Sequence, residues 1–555
     1  MASEPYKTIY RNRICTSILT SHMFSIEGQL VDVHTRRIYP ARIDIKEGRI
    51  ACITELDFAP ECYLMPGFVD AHVHIESSML PPAEFGRVAL AHGTLATVSD
   101  PHEIANVLGL EGVRWMLENA RHTAMHVHLG APSCVPATSF ETAGAHLGLD
   151  ETRVMLEDLN LPYLAEMMNW PGVLGRDKEV MGKINLALSL GKPVDGHAPG
   201  LMGEDARQYA SAGISTDHEC YTLDEALGKI ALGMKVIIRE GSAARNLEAL
   251  HPLLATHPQW VMLCSDDKHP DELIHGHINK LAERLMGYGY DLFDVLRACS
   301  INAIEHYALP IGRLREGDQA DFIICQDLKH PVALEVFRNG ECVAAKGRTL
   351  APYVRYEGPN QWAAQSFIEA DFKLNGAAAK AVIVAEDGQL ITKRRDLPKS
   401  VNLNELPSGL HFIAVCNRYN PSPPAVALIE GFGSFNGALA SSVAHDSHNV
   451  VAVSNTRSGL AQVVNAVMEA EGGLALVQPN GDILMLPLPI AGLLSAEPAT
   501  EVAAQYQLLD AGAKALGCPL RAPFMTLSFM ALLVIPELKL SDKGLFDGLR
   551  FEFIK

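Results

Sequence analysis

The chain has 555 residues, 48% of them hydrophobic and 20% charged, with a formal net charge of −19. At roughly 100–200 residues per domain, this length predicts two to four domains with ample apolar material for their cores. The acidic balance argues against a nucleic-acid binder, which presents a basic surface, and simple solubility is its plain reading.

The first residues, MASEPYKTIYRNRIC, lack a basic start followed by an apolar run, which predicts no secretory leader. Up to about Met65, GQLVDVHTRRIYPARIDIKEGRIACI alternates in strand fashion, with a turn at Glu47–Gly48. From about Pro66 to Ala303, short apolar strands alternate with amphipathic helical stretches. Eight strands are predicted at Phe68–Val73, Thr94–Ser99, Met125–Leu129, Tyr163–Met167, Pro193–His197, Ser215–His218, Lys235–Arg239 and Trp260–Ser265. Next, GRLREGDQADFIICQDL returns to a glycine turn and a strand that could pair with the N-terminal strands. The final region mixes glycine-rich turns, strands and helices. Its most apolar stretch, Phe524 to Ile535, is far too short to span a membrane and is stopped by Pro536. Eleven cysteines, with no CxxC pair, predict free thiols in a reducing compartment, the cytoplasm.

These elements predict an α/β fold. Residues 66–304 form a (β/α)8 TIM barrel, 1–65 with 305–358 a small β-domain built from both flanks, and 359–555 an additional C-terminal α+β domain. A doubly wound sheet is the structural alternative to the barrel. Nearly every predicted strand ends in a reactive cluster: His72/His74, Asp100/His102/Glu103, Glu166, His197, His218/Glu219, Arg239/Glu240 and Asp266/Asp267. A barrel converges its strand ends on one mouth, whereas an open sheet spreads them along a line. So many ligand types at strand ends favour the barrel.

His72 and His74 are two apart and share one strand face, so both imidazoles can reach one metal ion. The plain alternative is two surface histidines, since short HxH matches are common. In PGFVDAHVHIESSM, Asp70 lies two residues before His72 and is expected on the same face, as a buried acceptor that orients an imidazole. His197, His218 and Asp266 each follow a predicted strand. Two metals about 3.5–4 Å apart need several ligands and a bridging group. Glu166 of YLAEMMN can supply the bridge, or else serve as a helix N-terminal charge.

These motifs carry a resemblance. PGFVDAHVHIESSM, SDPHEIANVLG, APSCVPAT, LAEMMN, DGHAPG, STDHEC, REGSAARN and CSDDKHP resemble, in order, the motifs of bacterial adenine deaminases of the amidohydrolase superfamily. GALASSVAHDSHNVVAV and LPLPIAGLLS resemble that family's extra C-terminal domain. The resemblance covers nearly the whole chain. It implies an amidohydrolase-type barrel with His72, His74, Glu166, His197, His218 and Asp266 as metal ligands. It also implies a glutamate bridge where many amidohydrolases use a carboxylated lysine. The implied cofactors are two divalent ions, manganese or iron first and zinc as the remaining candidate. Two residues depart from the family pattern: Met202 stands where a small residue is usual, and Tyr419 where histidine is expected after the arginine.

The implied activity is hydrolytic deamination of adenine to hypoxanthine and ammonia, a step of purine salvage. Asp266 is the expected proton carrier, since the attacking hydroxide must lose a proton and a ring nitrogen must gain one. Asp267, Glu240, Ser242, Asp100, His102 and Glu103 are the candidates for substrate contact, each with a supporting or loop-capping role as its plain alternative. Met167–Met168 could line the ring plane or be ordinary core. His445 to Asn449, HDSHN, reads equally as a contribution to a neighbouring active site or as a capped turn inside its own domain. The partners expected are adenine and water, with no nucleic acid and no membrane, in a homo-oligomer, dimer or tetramer. The competing functions are hydrolysis of another purine, a pterin or a cyclic amide at the same centre, and a dead scaffold. A dead scaffold predicts lost ligands, and all six are present.

Overall fold

The computed structural model describes residues 23–363, 365–374, 376–397 and 406–554. The segment 1–15, read above for a leader, lies outside them. Consecutive left-handed residues, Glu47 at φ 50° and Gly48 at φ 76°, make the tight turn between strands Arg37–Lys46 and Arg49–Glu55. Their twist suits a two-residue hairpin. These strands join Met23–Asp32 and Tyr63–Pro66 in one sheet. Its other half comes from beyond the barrel: Phe322–Cys325 pairs antiparallel with Tyr63–Pro66, and Ala333–Arg338, Glu341–Ala345 and Arg348–Thr349 follow outward.

Between these halves lie eight parallel strands: Phe68–Val73, Thr94–Ser99, His126–Leu129, Leu164–Met167, Val194–Gly196, Thr216–Asp217, Lys235–Arg239 and Val261–Cys264. Single bridges join the ladders into a closed ring, Ala131 to Leu164 and Val73 to Asp266. Ser215 N donates to Val194 O at 2.9 Å and links the fifth strand to the sixth. This is a (β/α)8 barrel. Val69, Ala71, Val98, Ala165, Ile237 and Met262 fill its interior. Phe68, Leu95, Leu164, Val236 and Leu263 face the surrounding helices. No helix among the described residues is long and apolar enough to cross a membrane.

The C-terminal region builds a second eight-stranded sheet, with Leu410–Cys416 near its centre, between Ala425–Glu430 and Val450–Ser454. Strand alternation gives it two faces. Phe412, Ala414, Val450 and Ala452 pack with Leu460, Val463 and Val467 of helix Arg457–Glu469. Ile413, Val415, Val451 and Val453 belong to the cluster that also holds the barrel's outer core. The second domain therefore shares apolar core with the barrel, and this fixes it over the barrel mouth.

Candidate metal centre

The first barrel strand carries a bulge: Asp70 pairs with Thr97 but Val73 with Ser99, one residue extra on the first strand. A bulge reverses which residues face inward beyond it. Val69 and Ala71 point into the barrel below the bulge, and His72 and His74 enter the mouth above it. Asp70 is thereby turned away from His72, which corrects the expectation of a shared face. Its Oδ1 accepts from Ser265 N at 3.0 Å and its Oδ2 lies 2.8 Å from His277 Nε2. The imidazole it orients is His277. Gly196 ends the fifth strand so close to the sixth that a Cβ there would lie 2.3 Å from Thr216 O. His197 follows directly.

Buried side chains from several strand ends meet in one cavity. His72 and His74 approach through their Nε2 atoms at 3.2 Å, and His72 stacks on His218 with centroids 4.0 Å apart. His74 Nε2 lies 3.4 Å from both Glu166 Oε1 and Asp266 Oδ1. Glu166 Oε2 lies 2.7 Å from His197 Nδ1 and 3.2 Å from His218 Nε2. The glutamate thus reaches two histidine groups, one with each oxygen. Several sets offer donor atoms within 4.8 Å of one another, among them His72/His74/Asp266, His72/Glu166/His218, His197/His218/Glu219, His74/Asp100/His102/Glu166 and His102/Glu103/Asp446.

The charges are those of a cluster that could hold cations. Glu103, Glu166, Glu219, Asp266, Asp267 and Asp446 line the cavity, and Arg239 is the one permanent cation among its described lining residues. Burying that many anions without partners is prohibitive. Burial opposes ionisation of Glu166, but His197 holds it well below the usual carboxylate range. Burial opposes charge on His218 too, yet Glu166 pushes it up to about 9. Arg239 spans the site, donating from Nη1 to Asp266 Oδ2 at 2.7 Å and from Nη2 to Glu219 Oε2 at 2.8 Å. Against burial, it keeps Asp266 ionised. His197 Nε2 is buried without a hydrogen-bond partner among the described residues. This donor set, imidazole and carboxylate with no thiolate, fits divalent manganese, iron or zinc.

The substrate-contact candidates divide. His102, Glu103 and Asp267 line the cavity. Glu240 does not: it pairs with Arg284 and accepts from Leu247 N at 3.3 Å. Ser242 turns to Glu272 Oε2 at 3.1 Å and accepts from His269 N. Asp100 accepts from His102 N and lies 3.0 Å from its Nδ1, so it orients that ring. These three are corrections, and each carboxylate or hydroxyl is satisfied within its own loop or by a neighbouring element. Strand alternation predicts that only one of Asp266 and Asp267 faces the centre, yet both line it. Asp266 sits at φ 51°, left-handed, and the alternation ends there. Met168 lines the cavity and Met167 is core. Met202 is 53% exposed and Tyr419 donates to Ser447 O, both outside the cavity lining.

Sequence reasoning missed the roof. Leu390, His445, Asp446, Phe529, Leu532 and Val534 of the C-terminal domain close the cavity. HDSHN reaches the barrel cavity and is also tied into its own domain. His445 Nδ1 and His448 Nε2 each bond one oxygen of Glu103, while Asn449 Oδ1 accepts from Arg418 N within its own domain. The apolar stretch from Phe524 to Ile535 includes three of the roof residues. Glu219 and Arg239 stood among the strand-end clusters without an assigned role.

A closed parallel barrel with buried histidines and carboxylates gathered at its mouth has the make-up of a metal-dependent hydrolase, and residues 63–350 match the amidohydrolase family. Residues 389–552 match the adenine deaminase C-terminal domain. An adenine deaminase of Salinibacter ruber is 51% identical over 538 residues, 96% of this chain and 98% of that protein. One from Sulfurovum sp. is 49% identical (95% and 99% covered) and one from Methanosarcina mazei 46% (95% and 98% covered). The chain belongs to the adenine deaminase family of the amidohydrolases.

Proposed function

We propose that the chain hydrolyses adenine to hypoxanthine and ammonia, with water as second substrate, at a binuclear centre in the barrel mouth. In this reading His72, His74, Glu166, His197, His218 and Asp266 would hold two divalent ions, with Glu166 the residue placed to contact both. The observation that carries it is the split of the Glu166 carboxylate, Oε1 toward His74 and Oε2 toward His197 and His218. Manganese or iron is the first expectation and zinc the remaining one. When bound, such ions lower the pKa of water and supply a nucleophile near neutral pH.

The chain's own groups do the rest. Asp266 directs Oδ1 toward His74 while Arg239 holds Oδ2. It can therefore receive the proton of the attacking water and pass it to the ring nitrogen beside the reacting carbon. As the bond from the ring carbon to the exocyclic nitrogen breaks, the second proton of the water, still on the new C–OH, passes to that nitrogen, so that ammonia leaves and the carbonyl of hypoxanthine forms. Leu390, Phe529, Leu532 and Val534 give the planar ring an apolar face and exclude bulk water. We assign the enzyme to the cytoplasm and to purine salvage, supported by buried free thiols such as Cys134, Cys220 and Cys264. The test is ammonia release from a panel of purines by protein of measured metal content. Adenine is expected to be the preferred substrate, and fully metallated protein that leaves adenine untouched overturns the reading.

A further inference from the structure

The roof of the cavity is apolar except at one point. His445 stacks on Phe529 with ring centroids 4.9 Å apart, and its Nδ1 is taken by Glu103. The next residue, Asp446, lines the cavity and is 3% exposed. Its Oδ1 lies 3.8 Å from His102 Nε2, and its Oδ2 is buried with no hydrogen-bond partner among the described residues. A buried carboxylate oxygen left unpaired in a native cavity costs stability, so a donor that arrives with the substrate is the natural partner. On the other side of His102, its Nδ1 lies 3.3 Å from Glu166 Oε1. One imidazole ring therefore separates Asp446 from the bridging glutamate. Laid along His102, a purine with its reacting carbon near Glu166 would bring its five-membered ring toward Asp446.

We propose that Asp446 Oδ2 accepts the N–H of the five-membered ring of adenine, so that the C-terminal domain selects the free base. The proposal rests on the adenine reading above. Free adenine carries one proton on that ring, while an N9-substituted adenine carries none and adds bulk where the acceptor stands. A site built around such a bond rejects the analogue that lacks it, because the buried acceptor is left unpaired. The barrel supplies the hydrolytic centre, and the selectivity enters through a residue more than 300 positions away in sequence from the His102 it faces.

The test compares kcat/KM for adenine and 9-methyladenine, by ammonia release, in the wild type, Asp446→Ala and Asp446→Asn, with metal content and thermal unfolding measured on each. The wild type is expected to favour adenine strongly. Asp446→Ala should lose about 10–100-fold on adenine, mainly through KM, at unchanged metal content. Its rate on 9-methyladenine should stay level or rise, so the selectivity ratio collapses. Asp446→Asn keeps the size of the side chain and should lose less, which reads the effect even if the alanine variant unfolds. Equal losses on both substrates, or an unchanged adenine KM in a folded variant, overturn the proposal. A wild type that deaminates neither overturns the functional reading instead.

Discussion

The floor and the roof of the cavity are built by opposite means. The floor comes from barrel strand ends, places the chain visits at regular intervals, and it is crowded with charge: Glu166, His197, His218, Glu219, Arg239 and Asp266. The roof comes from three separate stretches of the C-terminal domain, around Leu390, His445–Asp446 and Phe529–Val534, and is largely apolar. A strand end holds a ligand rigidly because ladder bonds on both sides fix its backbone. A loop can shape a slot around a flat ring but depends on its own domain for position. On the proposed reading chemistry falls to the floor and recognition to the roof, and substitutions in the two should separate kcat and metal content from KM.

The largest effects are expected on the floor. His72→Ala and His74→Ala should each strip metal and reduce adenine turnover below detection while leaving the fold largely intact. Metal analysis beside ammonia release checks this, and normal activity at normal metal content in either variant removes the floor from the chemistry. Asp266→Asn should lose about 10²–10⁴-fold in kcat, more than it loses in metal, because the remaining ligands can still hold the ions. Asp267→Asn stands at the edge of the comparison. It should raise KM for adenine at normal metal occupancy. If it loses metal instead while Asp266→Asn keeps near-normal turnover, the two roles must be exchanged.

The pair shows how far the sequence could be read. Strands Phe68–Val73, Thr94–Ser99 and Lys235–Arg239 have the ends that apolar runs predict, because strand and run stop together. The fifth and sixth strands are shorter than read, Val194–Gly196 and Thr216–Asp217, because backbone at the mouth leaves the ladder to present His197 and His218. The spacing of His72 and His74 is legible from a period of two, whereas the bulge that turns Asp70 outward has no mark in its residue types. The left-handed backbone at Asp266 is equally invisible to an alternation rule. Glu240 and Ser242 look like floor residues because they follow a strand end, but partners from other elements, Arg284 and Glu272, draw them away. The roof is the least legible part. The contact of Glu103 with His445 joins residues 342 apart, and local pattern carries no trace of it.

Smaller effects are expected on the roof. Phe529→Leu should raise KM for adenine about 2–10-fold, the scale of one aromatic contact, with metal content unchanged. Loss of metal in that variant would erase the distinction between the two halves. The smallest effect concerns Lys539, which is buried with no carboxylate partner among the described residues. Its Nζ donates to Leu390 O at 2.6 Å and Phe529 O at 2.9 Å, tying two roof segments together. Burial pushes this ammonium down to about 7, from an ordinary value near 10.5. The unfolded chain therefore binds more protons than the folded one between those two values, and the lysine's contribution to stability rises with pH across that window. Wild-type stability measured against Lys539→Met should climb from about pH 7 to pH 10 and level off below pH 7. A difference that is flat in pH would show that the ammonium is not buried as described.

The central claim is that adenine is deaminated at two ions bridged by Glu166. Its most direct test titrates metal-stripped protein with manganese or iron while ammonia release from adenine is followed against ions bound per chain. Activity should appear chiefly with the second ion, and Glu166→Gln should lower both occupancy and turnover. Full activity at one ion per chain, or a Glu166→Gln variant with normal metal content and normal turnover, would contradict it.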